Sequence, residues 1–192
     1  IWHLMETHWK ATHMHGTEDP SEWVTRWTHL LPPQNQVLDL ACGAGRHMRW
    51  LASHGHLCTG VDRSPDALAA AQAYGQVREA DIEGGSWPLK GHRFDAVIVT
   101  NYLWRPLMPR ILESLKPQGI LIYETFALGH EKIGKPSRPD FLLKPGELLQ
   151  TCAKMHVIAY ENGYCEQAPK FVQRIVAVKA SQPSDTPKRF HL

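Results

Sequence analysis

Long apolar runs and blocks of like charge are both missing from this sequence. No stretch approaches the roughly 20 apolar residues that a helix needs to cross a bilayer. Residues 1–6 lack the basic segment and the apolar core of a signal peptide. The 21 Lys and Arg residues nearly balance the 19 Asp and Glu residues and are scattered along the chain. We therefore expect no membrane partner, no nucleic-acid partner and a cytoplasmic location.

Paired cysteine motifs are missing as well. The four cysteines show no CxxC spacing, and the apolar neighbours of Cys42 and Cys58 suit small buried thiols. This pattern favours a reducing compartment over a disulfide framework or a zinc site. Residues 1–18 do contain four histidines, but none pairs with another at i, i+4 beside a carboxylate, so we predict no metal site; they are His3, His8, His13 and His15.

What the chain does have is the size and composition of one globular domain. Its 192 residues, of which 43% are hydrophobic and 21% charged, can bury a single full core. We expect a domain over residues 19–180, flanked by an amino-terminal tail of residues 1–18 and a carboxy-terminal tail of residues 181–192. The protein is expected to be a monomer or a homodimer.

Apolar strands and amphipathic helices alternate through this domain. Asp19 as N-cap and Glu22 three residues later predict a first helix, whose apolar face carries Trp23 and Trp27. The two last strands are joined without a helix, at a turn predicted for Asn162-Gly163. The seven strands are predicted over 36–40, 57–61, 77–82, 94–100, 120–126, 155–160 and 171–178, and the remaining helices over 45–54, 64–74, 106–116 and 145–153.

This order of elements predicts the fold class. Strands that alternate with helices form a mostly parallel sheet, and two strands joined directly must be antiparallel to each other. We therefore expect an α/β fold with a Rossmann-like, mostly parallel seven-stranded sheet, helices on both faces and a C-terminal antiparallel β-hairpin.

A glycine-bearing turn follows the first predicted strand, in the segment Asp39-Leu40-Ala41-Cys42-Gly43-Ala44-Gly45. In open α/β sheets ligands bind at the carboxyl ends of the strands. Glycines there let the backbone approach a ligand closely, and the helix that follows favours anionic groups at its start.

Two acids sharpen this prediction, because they end the next two predicted strands. Asp62 can accept hydrogen bonds from both hydroxyls of a ribose. Asp81 can accept a hydrogen bond from the exocyclic amine of an adenine while the neighbouring Ile82 covers the adenine ring. Together with the glycine turn, these acids form a row that fits an adenosine.

A dinucleotide is the main alternative ligand, and the glycine spacing argues against it. The dehydrogenase fingerprint requires Gly-x-Gly-x-x-Gly, but Met48 stands at the third glycine, where it would obstruct close packing of the helix on the strand. Asp39 on the first strand is also foreign to that fingerprint. An NAD-dependent oxidoreductase is therefore disfavoured.

The motifs resemble those of class I S-adenosylmethionine-dependent methyltransferases over about residues 20–180. The first strand and its turn, residues 37–45, are similar to the first motif of that family, and Phe94-Asp95-Ala96-Val97 is similar to its fourth strand. Val61-Asp62 and Asp81-Ile82 resemble its ribose-binding and adenine-binding pairs, and residues 115–119 the turn before its fifth strand. In size and in residues 123–126 and 134–136, the chain is most similar to small stand-alone bacterial methyltransferases often labelled tellurite-resistance-like.

The resemblance implies S-adenosyl-L-methionine as cofactor and assigns candidate residues to the site. No catalytic residue is assigned outright; the candidates are Asn101, Tyr102 and Glu124. Substrate contacts are implied for Tyr102, Arg105 and Glu124. Cofactor contacts are implied for Asp39, Ala41, Gly43, Gly45, Asp62, Arg63, Asp81, Ile82 and Asn101. The chain departs from the family at Ala41, which replaces the first glycine of the turn; this costs little if φ at Ala41 is negative.

The predicted function is transfer of a methyl group by in-line displacement to a small-molecule acceptor. In such a reaction the cofactor carries the reactive group and the protein supplies positioning, so a general base is needed only if the acceptor must lose a proton. The alternative is a non-catalytic subunit that binds S-adenosylmethionine and regulates a partner.

Overall fold

In a computed structural model, residues 16–180 and 189–192 are described. The four histidines of the amino-terminal tail lie outside the described residues, so the prediction made for them stays open. Within the described ranges, none of the helices has the length and apolarity that crossing a membrane requires. All four cysteines are free thiols, and Cys42, Cys58 and Cys152 are buried, as predicted for the first two.

Seven strands form one sheet in the order β3-β2-β1-β4-β5-β7-β6. Strands β1 to β5 pair in parallel, whereas β7 is inserted antiparallel between β5 and β6. This topology confirms the predicted fold class, including the antiparallel hairpin at the end of the sheet. The strands are β1 (Gln36–Leu40), β2 (Leu57–Asp62), β3 (Gly75–Glu79), β4 (Phe94–Thr100), β5 (Leu115–Phe126), β6 (Met155–Cys165) and β7 (Lys170–Lys179).

Helices cover the sheet on two sides and produce two apolar layers. The layer under the first three helices contains Trp23, Met48 and Leu68, and the opposite layer contains Ile111 and Leu148. Strand β4 contributes to both layers, which explains why its sequence is almost continuously apolar. The helices are α1 (Glu22–Trp27), α2 (Arg46–Ser53), α3 (Pro65–Ala71), α4 (Met108–Glu113) and α5 (Glu147–Thr151).

The first helix does not begin at the predicted cap. Ser21, not Asp19, is the N-cap of α1, because Ser21 Oγ accepts a hydrogen bond from Trp23 N at 3.1 Å. Asp19 lies upstream, where its backbone carbonyl accepts a hydrogen bond from Arg46 Nη1 at 3.3 Å. The prediction of Asp19 as cap was therefore wrong, and the segment before α1 is bound to the start of α2 instead.

The third strand lies earlier than predicted, over Gly75–Glu79 rather than 77–82. It is the edge strand of the sheet and is mostly exposed, so no apolar alternation marks its ends. Asp81 and Ile82 consequently follow the strand in a turn, in which Gly85 N donates to the Asp81 carbonyl oxygen at 3.0 Å.

The second half of the chain departs from prediction at two further boundaries. Asn162 and Gly163 lie inside β6, paired with β7, and the hairpin turns at residues 166–169. The helix predicted over 106–116 is limited to α4 and preceded by a short 3-10 turn, Arg105–Leu107. Strand β5 already begins at Leu115.

Candidate cofactor site

The turn after β1 contains three residues with left-handed backbone conformation. They alternate along the chain, with φ values of 55° at Ala41, 54° at Gly43 and 83° at Gly45. Left-handed residues alternating with right-handed ones direct successive N–H groups towards one side, which favours an anion. The condition under which alanine would cost little at position 41, a negative φ, is not met: a residue with a Cβ occupies a conformation that costs roughly 1–2 kcal/mol.

Glycines away from the turn allow α2 to pack closely on the sheet. A Cβ added at Gly60 of β2 would lie 2.5 Å from Met48 Sδ and 2.7 Å from Cys42 Sγ. Gly60 therefore provides the space for Met48, which is fully buried. The close contact between helix and strand, for which the dehydrogenase fingerprint uses a third glycine, is obtained here by a glycine on the neighbouring strand.

Asp62 connects the end of β2 to the glycine turn. Its Oδ2 accepts a hydrogen bond from Gly43 N at 2.9 Å, and its Oδ1 accepts one from Ser64 N at 3.0 Å. A carboxylate offers about four acceptor positions, so two remain for further donors. The same side chain can thus hold the turn in place and accept the hydroxyls of a ribose.

Asp81 presents a free carboxylate oxygen beside an apolar side chain. Its Oδ1 accepts hydrogen bonds from Glu83 N at 3.0 Å and Gly84 N at 3.2 Å. These two backbone donors lower the pKa of the exposed Asp81 carboxyl, which stays ionised at neutral pH. Oδ2 is left available to an amine, and Ile82 follows directly in the turn.

A single cavity of about 160 Å³ brings these residues together. Five of the predicted cofactor residues line it, together with Tyr102, which was predicted for the substrate. Ala80 and Glu83 line the cavity too and were missed; the only signal for Glu83 was an acid two positions after Asp81. Four predicted residues are absent from this lining, namely Asp39, Gly43, Gly45 and Asn101. The five that line it are Ala41, Asp62, Arg63, Asp81 and Ile82.

Asp39 is buried below the turn, with 1% of its surface exposed. Its Oδ2 has no hydrogen-bond partner among the described residues and lies 3.8 Å from His47 Nδ1. Burial raises the pKa of the Asp39 carboxyl to about 7; the Arg46 charge opposes this shift, and the Asp62 charge adds to it. A buried acceptor without a donor is costly, so the site is suited to a cationic or N–H group of a ligand.

His47 links this carboxyl to the segment before α1. Its Nε2 accepts a hydrogen bond from Ser21 N at 3.2 Å, which requires a neutral ring with the proton on Nδ1. Burial, with a smaller contribution from Arg46, lowers the pKa of His47 to about 3, in agreement with that neutral state.

The amino-terminal segment of the described chain lies directly on the glycine turn. A Cβ added at Gly16, whose φ is 94°, would lie 2.5 Å from Ala44 N. Arg49 Nη2 donates to the Glu18 carbonyl oxygen at 3.4 Å, and Arg46 Nη1 lies 3.9 Å from Glu18 Oε1. The segment therefore covers the turn from outside and is bound to α2 by two arginines.

Comparison with known proteins shows what the region around this site is similar to. Residues 37–119 match the family model described as "Methyltransferase domain". The matched range, which is less than half of the chain, is similar to a methyltransferase domain. S-adenosylmethionine is the cofactor that this family and its fold imply. The matched range contains every predicted cofactor residue, from Asp39 to Asn101, but not Glu124.

The relatives of this chain carry names that differ in the reaction they describe. A protein of Geobacillus sp. (strain WCH70), itself only provisionally named a methyltransferase, is 35% identical over 111 residues, which are 50% of this chain and 45% of that protein. The tRNA U34 carboxymethyltransferase of Vibrio vulnificus is 30% identical over 134 residues, covering 60% of this chain and 42% of that enzyme. The chain thus matches less than half the length of these relatives.

A solved structure supports the same fold. The crystal structure of TehB from Haemophilus influenzae aligns with a TM-score of 0.70 at 18% identity, covering 86% of this chain and 64% of that one. At this identity the likeness establishes the fold alone.

Two predicted residues follow β4, beside the cavity. Asn101 is exposed, adopts a left-handed φ of 53°, and donates its backbone N–H to the Glu124 carbonyl oxygen at 2.9 Å. Tyr102 is held by Tyr123, whose hydroxyl donates to the Tyr102 carbonyl oxygen at 2.7 Å. Burial above all, and then the Glu83 charge, raises the pKa of Tyr102, so its hydroxyl keeps its proton.

Glu124 lies at the end of β5, where it is 1% exposed and surrounded by donors. Its Oε1 accepts hydrogen bonds from Ser21 Oγ at 3.2 Å and Lys170 Nζ at 3.0 Å. Its Oε2 lies 2.5 Å from Arg174 Nε, in an ion pair. These contacts connect α1, β5 and β7, and a contact between Glu124 and substrate stays a prediction.

Arg105 is likewise occupied by partners within the protein. It pairs in a fork with Glu147, through Nε to Oε1 at 2.6 Å and Nη2 to Oε2 at 2.9 Å. It also donates to the carbonyl oxygens of Asp140 at 2.7 Å and Leu142 at 2.9 Å. Arg105 therefore fastens residues 140–147 to the end of β4, and its predicted role in substrate binding stays a prediction.

Proposed function

We propose that the protein transfers a methyl group from S-adenosylmethionine to a small-molecule acceptor. The observation that carries this proposal is the cavity at the carboxyl edge of the sheet, where Asp62, Asp81 and Ile82 surround one space next to the glycine turn. An adenosine needs an acceptor for its ribose hydroxyls, an acceptor for its amine and an apolar cover for its ring. The three side chains supply these in that order.

The remaining residues of the site fit the methionine part of the cofactor. The orphaned Oδ2 of Asp39 can accept an ammonium N–H, and the N–H groups of the turn at Gly43 and Gly45 favour a carboxylate. When bound, S-adenosylmethionine supplies a methyl group on a positively charged sulfur. The protein itself needs only to hold the acceptor in line with that methyl group and to exclude water.

The residues beyond β4 position the acceptor in this proposal. Asn101 offers an exposed amide, and Tyr102 offers a hydroxyl that keeps its proton and can donate a hydrogen bond. Neither group is a strong base at neutral pH. The arrangement is thus best suited to an acceptor that arrives deprotonated or that loses its proton to water.

The charges around the site favour a small acceptor over RNA. Proteins that bind nucleic acid use free Lys and Arg side chains to contact phosphates. Near this site Arg105 is paired with Glu147, and Lys170 and Arg174 are paired with Glu124. These cations are therefore not free to contact a phosphate backbone.

Calorimetric titration with S-adenosylhomocysteine and with NAD tests the cofactor assignment. We expect micromolar binding of S-adenosylhomocysteine and no heat with NAD. Absence of binding to S-adenosylhomocysteine would overturn the proposal. Turnover is then measured with S-adenosylmethionine carrying a radiolabelled methyl group, against small amines, thiols, carboxylic acids and metalloid oxyanions. Tight binding without turnover on any acceptor supports the non-catalytic subunit instead.

An RNA acceptor is the second candidate, because a relative with 30% identity is named a tRNA U34 carboxymethyltransferase. The same labelled cofactor is incubated with total bacterial tRNA in parallel with the small acceptors. Label in the tRNA fraction and none in the small acceptors would replace the small-molecule proposal with this one.

A further inference from the structure

A second cavity, of about 340 Å³, lies at the opposite edge of the sheet from the cofactor site. It is formed where four strands begin: Gln36 opens β1, Leu57 opens β2, Gly75 opens β3 and Phe94 opens β4. Strand β2 runs from this cavity to Asp62 in the cofactor cavity. At about 3.3 Å per residue the two sites are separated by roughly 17 Å.

Two arginines and two histidines are among the thirteen residues that line this amino-edge cavity. Arg78, Arg93, His56 and His92 all line it, and no Asp or Glu does. In the part of the chain that the structure describes, neither Arg78 nor Arg93 forms an ion pair. This contrasts with Arg105 and the cations around Glu124, whose charges are compensated. The cavity therefore presents uncompensated positive charge in a concave space, which attracts an anion.

His56 adds a buried polar group that lacks a partner. The residue is 6% exposed, and its Nδ1 has no hydrogen-bond partner among the described residues. Burial lowers the pKa of His56, so the ring is neutral near pH 7 and offers one donor and one acceptor. Buried polar atoms are normally satisfied, so His56 is an unusual residue among those that line the cavity.

Apolar side chains line the cavity beside the polar residues Gln36, Thr59 and Gln76, so the cavity can hold more than a bare anion. Leu89 and Phe94 are buried in its floor, and the ring of Tyr74 is half-buried in its wall. Leu57 is 60% exposed at the start of β2 and adds apolar surface to the lining. A ligand with both a planar or apolar part and a negative group matches this lining.

We propose that the amino-edge cavity binds a phosphate-bearing small molecule of about the size of a nucleotide. A guanidinium group can donate two parallel hydrogen bonds to the oxygens of one phosphate, and the guanidinium groups of two arginines line this cavity. Its volume falls within the range of about 300–1,000 Å³ found for small-ligand sites. A concave space lined by two arginines suits a small ligand, whereas a nucleic-acid backbone is bound by Lys and Arg side chains clustered along an open face.

The proposal is tested by titrating uridine 5′-monophosphate, uridine and inorganic phosphate into isotope-labelled protein saturated with S-adenosylhomocysteine. We expect the monophosphate to shift the backbone NMR signals of residues 56–58, 75–78 and 92–94, and to leave those of residues 41–45 unchanged. Uridine should bind at least tenfold more weakly, because it lacks the phosphate. Inorganic phosphate should shift the signals of Arg78 and Arg93 at higher concentration.

Variants separate specific binding from general attraction by charge. In Arg78→Gln/Arg93→Gln, binding of the monophosphate should weaken at least tenfold. Arg110→Gln/Lys154→Gln removes the same charge from exposed positions elsewhere and should leave the affinity unchanged. Equal weakening in both variants, equal binding of uridine, or shifts confined to the cofactor edge would each overturn the proposal. A short RNA that binds this edge when the monophosphate does not would overturn it too.

Discussion

Ala41 carries backbone strain at the point where the cofactor is expected to bind. Its φ of 55° lies in the left-handed region, which glycine adopts freely and alanine does not. We predict that Ala41→Gly raises the free energy of unfolding by about 1 kcal/mol, because relief of strain exceeds the added freedom of the unfolded chain. Urea denaturation measures this change.

Ala44→Gly is the matched control for this prediction. Ala44 belongs to the same turn and is buried, but its φ is not positive. The control should lower the free energy of unfolding by about 1 kcal/mol. Equal destabilisation by both substitutions would contradict the strain at Ala41.

Asp62 is predicted to contribute to cofactor affinity through a charged hydrogen bond. Asp62→Ala removes the acceptor of the ribose hydroxyls and releases Gly43 N from its partner. Hydrogen bonds to charged groups contribute about 1.5–3 kcal/mol, so the affinity for S-adenosylhomocysteine should fall about tenfold or more. Calorimetry checks this, with substitution of the exposed Asp66 of α3 by alanine, Asp66→Ala, as a control that leaves affinity unchanged.

The Asp39–His47 pair makes opposite contributions to the pH dependence of stability. Folding raises the pKa of Asp39 from 3.8 to about 7, so its contribution favours the folded state at low pH and is lost as pH rises to 7. Folding lowers the pKa of His47 from 6.5 to about 3, so its contribution is lost as pH falls below 6.5. Between about pH 4 and pH 6.5, the two residues together bind one proton in the unfolded state and one in the folded state. Their contributions to the pH dependence of stability therefore cancel in this range.

Single substitutions should therefore reveal opposite slopes. In Asp39→Asn the His47 contribution remains, and stability relative to wild type should rise with pH between about 4 and 6.5, by at most about 1.4 kcal/mol per pH unit. In His47→Gln the Asp39 contribution remains, and relative stability should fall over the same interval. Denaturation series at pH 4.5, 5.5, 6.5 and 7.5 measure the stability of both variants. Slopes of the same sign in the two variants would refute the opposite contributions of Asp39 and His47.

Among the elements, central strands were easier to predict than edges. The bounds predicted for the strands at 36–40 and 94–100 are those observed, because both strands are buried by neighbours on each side and their apolar runs end abruptly. Strand β3 has only exposed or half-buried residues, so its sequence does not indicate where it begins. Gly163 has open space around it, and pairing with β7 extends β6 through a sequence that locally favours a turn.

Contacts between distant segments were beyond prediction for a different reason. The positions of Asp62 and Asp81 after strands could be read from the sequence, because strand ends meet at one edge. The partners of Arg105 and Glu124 lie 35 to 103 positions away, and only the folded chain brings them together. Two of the three residues assigned to substrate by position, Arg105 and Glu124, have side-chain partners within the protein.

The short helix α5 and the turn before it depend on Arg105. Arg105→Ala removes the fork to Glu147 and two hydrogen bonds to backbone carbonyls. We expect faster hydrogen exchange at residues 138–148, with exchange in β1 and β4 unchanged. Arg105→Lys should restore little, because an ammonium cannot reproduce the fork. Arg110→Ala, which breaks only the exposed ion pair with Glu113, serves as the control. Equal hydrogen exchange at residues 138–148 in Arg105→Ala and Arg110→Ala would contradict the prediction.

Across the whole molecule, Glu124 joins the amino-terminal helix to the carboxy-terminal hairpin. Glu124→Gln leaves Lys170 and Arg174 largely buried without this counter-charge, so the free energy of unfolding should fall by about 3 kcal/mol. Glu161→Gln removes an exposed partner of Arg174 and should cost about 0–1 kcal/mol. The double variant Glu124→Gln/Lys170→Gln should lose less than the sum of its single variants, and strict additivity would refute the coupling.

The position of β7 has a consequence for synthesis on the ribosome. Strand β5 is complete at Phe126, yet its neighbour on one side begins only at Lys170. At about 5–20 residues per second, the nascent chain exposes the unpaired edge of β5 for roughly two to nine seconds. During that interval the buried residues Ile120, Leu121 and Ile122 have no covering strand, and the edge can pair with another nascent chain. Slow translation between these two strands should therefore increase aggregation before the sheet can close.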